Sequence, residues 1–277
     1  MTDELMGAGE ALAPRASKGA TLFAMNESSG SDLPPPGELL ARAHNAVDAA
    51  GRAGVPMRLL GGLGVFALSE SARRPPLARA YGDFDVAVPA KKGPVVSKTL
   101  EQAGFVPDRH FNALHGARRM IFRAPEGYPV DVLIGVFEMC HRLNIASGFD
   151  QHELTISPAD LLLTKLQIVR IEPKDLGDAA ALVLDLAPGT ELGAIDVGRF
   201  ASPLADDWGF FHTVEINLGQ LGQFAAGTLS PAQSSKLGER VSMLRDAMEN
   251  TPKSLKWKMR ARVGERLSWY EIPDELE

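Results

Sequence analysis

The chain has 277 residues, of which 45% are hydrophobic and 23% charged, which is typical of a globular protein and excludes a fibrous or wholly disordered one. Its net charge of −6 argues against binding nucleic acid over the whole surface, although a local basic patch is compatible with it. Because the chain has a single cysteine, Cys140, no internal disulfide can form, and we expect a buried thiol in a cytoplasmic protein. No apolar run is long enough to predict a membrane-spanning helix.

The first part of the chain is rich in Gly, Ala, Ser and Pro, and its N-terminus has acids where a secretory signal has basic residues. Such a composition buries too little apolar surface to offset the entropy of ordering, so residues 1–36 are predicted to be a disordered leader.

The periodicity of apolar residues predicts a helix over 38–53. A short strand is predicted over 55–60, leading into Gly61 and Gly62, with a helix beginning at Leu63. Paired glycines at such a turn let a ligand approach the backbone at a helix N-terminus, although a tight turn without a ligand is the commoner case.

The segment 79–88 carries the main chemical signal, because Asp83 and Asp85 stand two residues apart at the start of an apolar run. In a strand these two carboxylates point the same way, while Phe84 and Val86 face the core. Paired acids repel at neutral pH, and a divalent cation that prefers oxygen ligands is a natural partner for them. Acids at a strand end are nevertheless more often solvated edge residues.

Further along, Asp131 is a lone acid within the predicted strand 130–134, where an unpaired carboxylate is costly and should have a partner. If neighbouring strands bring it beside Asp83 and Asp85, the three would form a metal site suited to phosphoryl transfer. The remaining predictions for this half are a helix over 91–103, strands over 108–114, 118–123 and 151–156, a loop insertion near 71–77, a helix over 157–170 capped by Ser157, and a helix from Lys174.

Lys165 lies inside an apolar helical run, so its ammonium either snorkels to the surface, the commoner case, or reaches a site that holds anions. Asp175 and Asp178 stand in the first turn of the next helix, where N-terminal capping explains them.

The chain is then predicted to have a looser structure over 188–208, before two helices predicted over 207–225 and 231–249. A basic segment follows, with Lys253, Lys256, Lys258, Arg260 and Arg262 around Trp257. It could hold RNA phosphates, although a solvated helix face is the default.

In this order the residues resemble the DNA polymerase β-type nucleotidyltransferase superfamily, and within it the branch of AbiEii-like toxins and related minimal nucleotidyltransferases. The resemblance covers about residues 55–187. The matching residues are the paired glycines, the acidic segment, the later aspartate and the basic and acidic residues of the following helices: Gly61, Gly62, Arg79, Tyr81, Gly82, Asp83, Phe84, Asp85, Val130, Asp131, Val132, Lys165, Leu166, Arg170, Lys174, Asp175 and Asp178.

The resemblance implies an α/β (α+β) fold with a mixed sheet flanked by helices. We predict that this domain spans 37–187 and that a helical C-terminal region follows over 188–277. It implies transfer of a nucleoside monophosphate from an NTP to an acceptor hydroxyl of RNA, protein or a small molecule, with release of pyrophosphate. Asp83, Asp85 and Asp131 would be the catalytic and metal-binding residues, holding two Mg²⁺ ions, with Mn²⁺ as a substitute. The nucleotide would be bound by Gly61, Gly62, Arg79, Lys165, Arg170 and Asp178.

The resemblance also allows a toxin role with an antitoxin protein as partner, and a tRNA or other RNA acceptor bound by the basic segment. Two departures stand out: Leu63 replaces the usual hydroxyl residue after the glycines, and the separation between Gly62 and Asp83 is longer than in the family. Two alternatives remain. One is a catalytically silent member of the fold that acts as a binding or regulatory protein, and the other is an antibiotic-type enzyme that modifies a small molecule.

Overall fold

The computed structural model describes residues 34–271. The predicted leader therefore lies outside the described residues except for its last three positions, and α1 already begins at Pro36. The acidic end of the chain, 272–277, lies outside them as well. Within the described residues no helix is both long enough and apolar enough to cross a membrane.

Helices surround the sheet in the first part of the chain and make up most of the second part. In the first part they are α1 (Pro36–Arg52), α2 (Gly61–Leu68), α3 (Gly93–Gln102), α4 (Arg109–His115), α5 (Pro158–Leu166) and α6 (Pro173–Asp185). In the second part they are α7 (Val197–Asp206), α8 (Trp208–Thr228), α9 (Pro231–Asn250) and α10 (Leu255–Val263).

The central sheet has five strands in the order β1-β2-β5-β4-β3. The pair β2 and β5 is parallel, and the other neighbours are antiparallel. The strands are β1 (Arg58–Leu60), β2 (Phe84–Val88), β3 (Val106–Pro107), β4 (Arg119–Arg123) and β5 (Pro129–Ile134). Two short two-stranded pairs lie outside it, β6 (Phe137–Glu138) with β7 (Arg142–Leu143) and β8 (Pro188–Gly189) with β9 (Ile195–Asp196). The predicted mixed sheet flanked by helices, with a helical C-terminal region, is confirmed.

Two hydrophobic cores lie on the two sides of the sheet. Phe84, Val86 and Val88 belong to the core that contains residues of α1 and α3, as the alternation along this strand predicts. Ala87 belongs to the other core, which joins α5 and α6 to α8 and α9. Asp85 alternates with Phe84 and Val86 along the strand. Its carboxylate therefore lies on the same side of the sheet as Ala87, the side of the core formed with α5, α6, α8 and α9, which is called here the second core. The boundary predicted at residue 187 stays a prediction.

The strand predicted over 108–114 is wrong, because this segment forms α4. The carboxylate of Asp108 accepts a hydrogen bond from the backbone N–H of Phe111 at 2.9 Å and so caps the helix. Asn112 then pairs with both backbone groups of Ile121, at 2.7 and 3.0 Å, which ties the helix to β4. These tertiary hydrogen bonds override the β-like pattern of the segment.

Several other segments also differ from the prediction, and helix α2 begins at Gly61 instead of Leu63. The segment 151–156 contributes only an isolated bridge between Thr155 and Leu59 and no strand. Helix α5 begins at its predicted Ser157 cap but ends at Leu166, four residues early. The looser stretch over 188–208 contains α7, whose N-cap Asp196 accepts from the backbone N–H of Arg199 at 2.9 Å.

Candidate functional site

Two aspartates predicted to meet are brought side by side by the parallel pair of strands. Asp85 of β2 is the register partner of Asp131 of β5. Asp83 precedes β2 and is exposed, whereas the side chain of Asp131 is only 17% exposed. The three carboxylates therefore lie at the same end of two adjacent strands, at the edge of the second core.

Their proximity appears in the electrostatics of the site. The pKa of Asp85 is raised well above its ordinary value, first by burial and then by the negative charges of Asp83 and Asp131. The cations Lys165 and Arg119 oppose this rise without cancelling it. Asp85 is therefore a carboxylate that lacks sufficient counter-charge from the protein.

Asp131 has a partner that the sequence analysis did not identify. Nε of Arg119, on β4, donates to both carboxylate oxygens at 2.9 and 2.8 Å, and its Nη2 donates to Oδ2. Burial still raises the pKa of Asp131, since this guanidinium offsets only part of the desolvation cost. A signal was present in the sequence, because Arg119 lies on the strand predicted next to that of Asp131, but the pairing register was not known.

The hydrogen bonds from Arg119 to Asp131, called here the Arg119 fork, change the set of carboxylates that is left for a metal ion. Among residues 34–271, no three His, Cys, Asp or Glu side chains are placed so that they could together hold a metal ion. Asp83 and Asp85 remain as a pair of oxygen donors with excess negative charge, which fits a hard divalent cation. The expected third ligand is held by an arginine instead.

The strand end that carries Asp83, Asp85 and Asp131 is called here the acidic edge. The paired glycines lie against it. Leu60, the last residue of β1, is the register partner of Asp85, and Gly61 follows it with a φ of 64°. A Cβ on Gly61 would overlap the carboxylate of Asp85, and one on Gly62 would overlap the guanidinium of Arg79. Helix α2 begins here, so the unpaired N–H groups of its first turn lie next to the acidic edge. Only glycine fits at either position without displacing a predicted site residue.

Lys165 does not snorkel, contrary to the commoner interpretation. Its side chain is 10% exposed, and its Nζ lies 3.0 Å from Oδ1 of Asp175 and 2.9 Å from Oδ2 of Asp178. Burial alone would lower the pKa of Lys165, but the two carboxylates outweigh it and raise the pKa. N-terminal capping is therefore also an incomplete account of Asp175 and Asp178, since both bind this buried ammonium.

Arg79 completes the cluster from the side of the glycines. Its Nε and Nη2 donate to the two oxygens of Asp178 at 3.0 and 2.8 Å, and its guanidinium lies 4.2 Å from the centre of the Tyr81 ring. Burial would raise the pKa of Asp178, but Lys165 and Arg79 together hold it below its ordinary value. The four residues Arg79, Lys165, Asp175 and Asp178, called here the ion-pair cluster, thus contain two cations and two anions.

Exposure differs within the ion-pair cluster. The side chain of Arg79 is 28% exposed, against 10% for Lys165 and 3% for Asp178. Arg79 is therefore the member of the cluster that can contact a bound molecule. Asp178 holds the guanidinium of Arg79 in place, and Lys165 in turn holds Asp178. The hydroxyl of Tyr81, below that guanidinium, is buried without a hydrogen-bond partner. Arg170 lies beyond the end of α5 and is exposed.

The basic segment near the C-terminus divides into two groups. Nζ of Lys253 donates to the backbone oxygens of Thr251 at 2.9 Å and Glu249 at 3.3 Å. Arg260 donates to the backbone oxygen of Gly264 at 2.6 Å and lies over a tryptophan ring. Lys256, Lys258 and Arg262, in contrast, are exposed on α10, which contains no acid.

The chain is similar to a solved structure of an antigenic nucleotidyltransferase-like protein from Paracoccidioides brasiliensis. The two share 13% identity over 79% of this chain and 94% of that one, with a TM-score of 0.37. No family model matches this chain, and no curated protein does either. Similarity at this level carries no argument about function and does not bear on the AbiEii-like branch, so function has to be argued from the site.

Proposed function

We propose that this protein is a metal-dependent nucleotidyltransferase that transfers a nucleoside monophosphate from an NTP to an acceptor hydroxyl. The observation that carries the proposal is the packing of the Gly61–Gly62 turn directly against Asp85, at the strand end where Asp83 and Asp131 also lie. This arrangement places helix N–H donors for phosphate beside Asp83 and Asp85, a pair of carboxylates with excess negative charge. A bound metal–triphosphate complex would satisfy both groups.

The residues take separate roles. Asp83 and Asp85 would hold Mg²⁺, or Mn²⁺ in its place, which supplies charge neutralisation for the phosphates and acidifies the acceptor hydroxyl when bound. The N–H groups at Gly61 and Gly62 would donate to the triphosphate, and the exposed edge of Arg79 would bind it as a cation. Lys165 and Asp178 position Arg79 through the ion-pair cluster.

The reaction follows from this placement. The acceptor oxygen forms a bond to the α-phosphorus, the bond from that phosphorus to the β-phosphate oxygen breaks, and pyrophosphate leaves. The hydroxyl proton passes to Asp131, which Arg119 holds at the strand end. Catalysis then consists of positioning and of charge stabilisation by groups already fixed in the fold.

The decisive experiment is calorimetric titration with each NTP in the presence of Mg²⁺. We expect one or more NTPs to bind the unaltered protein, and the binding to vanish in Asp83→Asn/Asp85→Asn and in buffer with EDTA. The control variant Asp48→Asn/Asp246→Asn removes the same charge from two exposed helical positions and should bind like the unaltered protein. Binding that survives in the site variant would contradict the proposal.

For the acceptor we propose RNA, bound by the exposed cations of α10. Because Lys253 and Arg260 are engaged within the protein, the contribution should come from Lys256, Lys258 and Arg262. Lys256→Glu/Lys258→Glu should weaken tRNA binding and flatten its dependence on salt, whereas Lys98→Glu/Lys236→Glu, with the same change of charge at exposed positions elsewhere, should not. Equal loss in both variants would point to net charge alone.

A toxin role with an antitoxin partner is the finer part of the proposal, supported by the resemblance of the sequence motifs. It predicts growth arrest on expression in a bacterial host, relieved by Asp83→Asn/Asp85→Asn.

The pairing of Asp131 with Arg119 favours a second candidate, a silent member of the fold that acts through binding. Absence of Mg²⁺-dependent binding of any NTP would favour this second candidate.

A further inference from the structure

An arginine, Arg119, holds Asp131, the third carboxylate that the resemblance assigns to metal binding. Arg119 lies on β4, the antiparallel neighbour of β5, two residues from Ile121, which is the register partner of Asp131. Residues two apart on a strand share a face, so the guanidinium reaches along the sheet to the carboxylate. Its side chain is 20% exposed, and that of Asp131 is 17% exposed. The pair is therefore largely shielded from water.

The contact is also specific in geometry. One guanidinium nitrogen donates to both carboxylate oxygens, and a second nitrogen donates to one of them. Charge-assisted contacts with more than one hydrogen bond are the strong kind, and these three bonds leave only about one of the four lone-pair positions of the carboxylate free, on Oδ1. That position can accept a proton, but a cation that used both oxygens of Asp131 would have to break hydrogen bonds between two largely buried charges.

The charges of the site agree with this geometry. Within the ion-pair cluster, the charges of Lys165 and Arg79 are matched by those of Asp175 and Asp178. Outside the cluster, the charge of Arg119 is matched by that of Asp131. The acidic edge then has two further carboxylates, Asp83 and Asp85. That is the charge one divalent cation balances.

We propose that Arg119 takes the place of a second metal ion, so that this site binds one divalent cation, through Asp83 and Asp85, with Arg119 as the positioning residue of Asp131. This inference rests on the proposed function, since it concerns the same metal site. The guanidinium supplies positive charge beside Asp131 and fixes the direction of its carboxylate. Asp131 then acts as the acceptor of the hydroxyl proton and not as a metal ligand.

The test is the number of Mn²⁺ ions bound per chain, measured by calorimetry and by the EPR signal of free Mn²⁺, without nucleotide. We expect one ion for the unaltered protein and two for Arg119→Met, because that variant frees the third carboxylate. Arg119→Lys, which keeps the charge, should restore one ion. Arg118→Met is the matched control: the neighbouring arginine is 83% exposed, and its loss should leave one ion.

A second variant covers the case in which Arg119→Met does not fold. Arg119→Gln/Asp131→Asn replaces both members of the pair by neutral side chains, so that no guanidinium is released beside Asp85, and it should bind one Mn²⁺ ion at least as tightly as the unaltered protein. A marked loss of Mn²⁺ affinity in this double variant would overturn the inference, because Asp131 would then be a ligand. Two ions in the unaltered protein would overturn the inference but support the proposed function. No Mn²⁺ binding by the unaltered protein would overturn both.

Discussion

The acidic edge and the ion-pair cluster are neighbouring groups of charged residues that have opposite electrostatic character. In the ion-pair cluster each carboxylate is matched by a cation, and the pKa of Asp178 is held low by Lys165 and Arg79. At the acidic edge the pKa of Asp85 is raised by burial and by its neighbouring carboxylates. The comparison separates acids that cations of the fold balance from an acid, Asp85, for which the fold supplies too little positive charge.

The largest effect should come from removing the buried cation of the ion-pair cluster. Lys165→Met leaves Asp175 without its ammonium and Asp178 with Arg79 alone. Breaking one partner of a buried ion pair typically costs about 3–5 kcal/mol, so we expect a loss of this size in the free energy of unfolding in urea.

A matched control is available nearby in the sequence. Lys174 pairs with Glu172 at 2.9 Å, but both side chains are more than half exposed. Lys174→Met should therefore cost less than about 1 kcal/mol, because exposed ion pairs contribute little. If the two lysine variants lost the same stability, the ion-pair cluster would not be the stabilising element that the comparison requires.

A smaller effect is expected at the turn between the two groups. Gly61→Ala would place a Cβ against the carboxylate of Asp85, at a residue with a φ of 64°. We expect a loss of about 1–2 kcal/mol in the free energy of unfolding and loss of Mg²⁺-dependent nucleotide binding. The control is Gly238→Ala in α9, where a Cβ has open space. There we expect unchanged nucleotide binding and a gain of up to about 1 kcal/mol.

The smallest effect, and the sharpest in sign, is the pH dependence of stability in buffer with EDTA. The folded-state pKa of Asp85 is raised, so the folded protein binds its proton more tightly than the unfolded chain does, and stability falls as the pH rises through that pKa. Asp85→Asn lacks this group. The variant should therefore gain stability over the unaltered protein as the pH rises from 4 to 8.

Asp178 should behave in the opposite way. Its folded-state pKa is lowered, so its ionised form adds stability above its ordinary pKa, and this stability is lost as the pH falls through the folded-state value. Asp178→Asn should therefore be destabilised at pH 7, with a difference that shrinks in acid. Urea unfolding at several pH values measures both variants. The same sign for both would remove the distinction between the two groups of acids.

Much of the site could be predicted from local sequence. Two acids spaced by two at a strand start, paired glycines after a short strand and a lone acid in a later apolar strand indicated residues that the structure places together. Helix α5 likewise begins at the predicted Ser157 cap, whose hydroxyl accepts from the N–H of Asp160 at 3.1 Å. These features depend on spacing within one element, which a strand or helix period fixes.

The tertiary structure decided which charges found partners. Lys165 is buried because α6 places Asp175 and Asp178 around its ammonium, and hydropathy along α5 does not contain that information. Asp131 is held by Arg119 because β4 pairs with β5 in one register, and a shift by one residue would turn the arginine to the other face. The sequence by itself therefore determined the positions of the acids and glycines along each element. Only the packing of distant elements decided which carboxylates remain without a cation, since Coulomb interactions depend on separation in space and not along the chain.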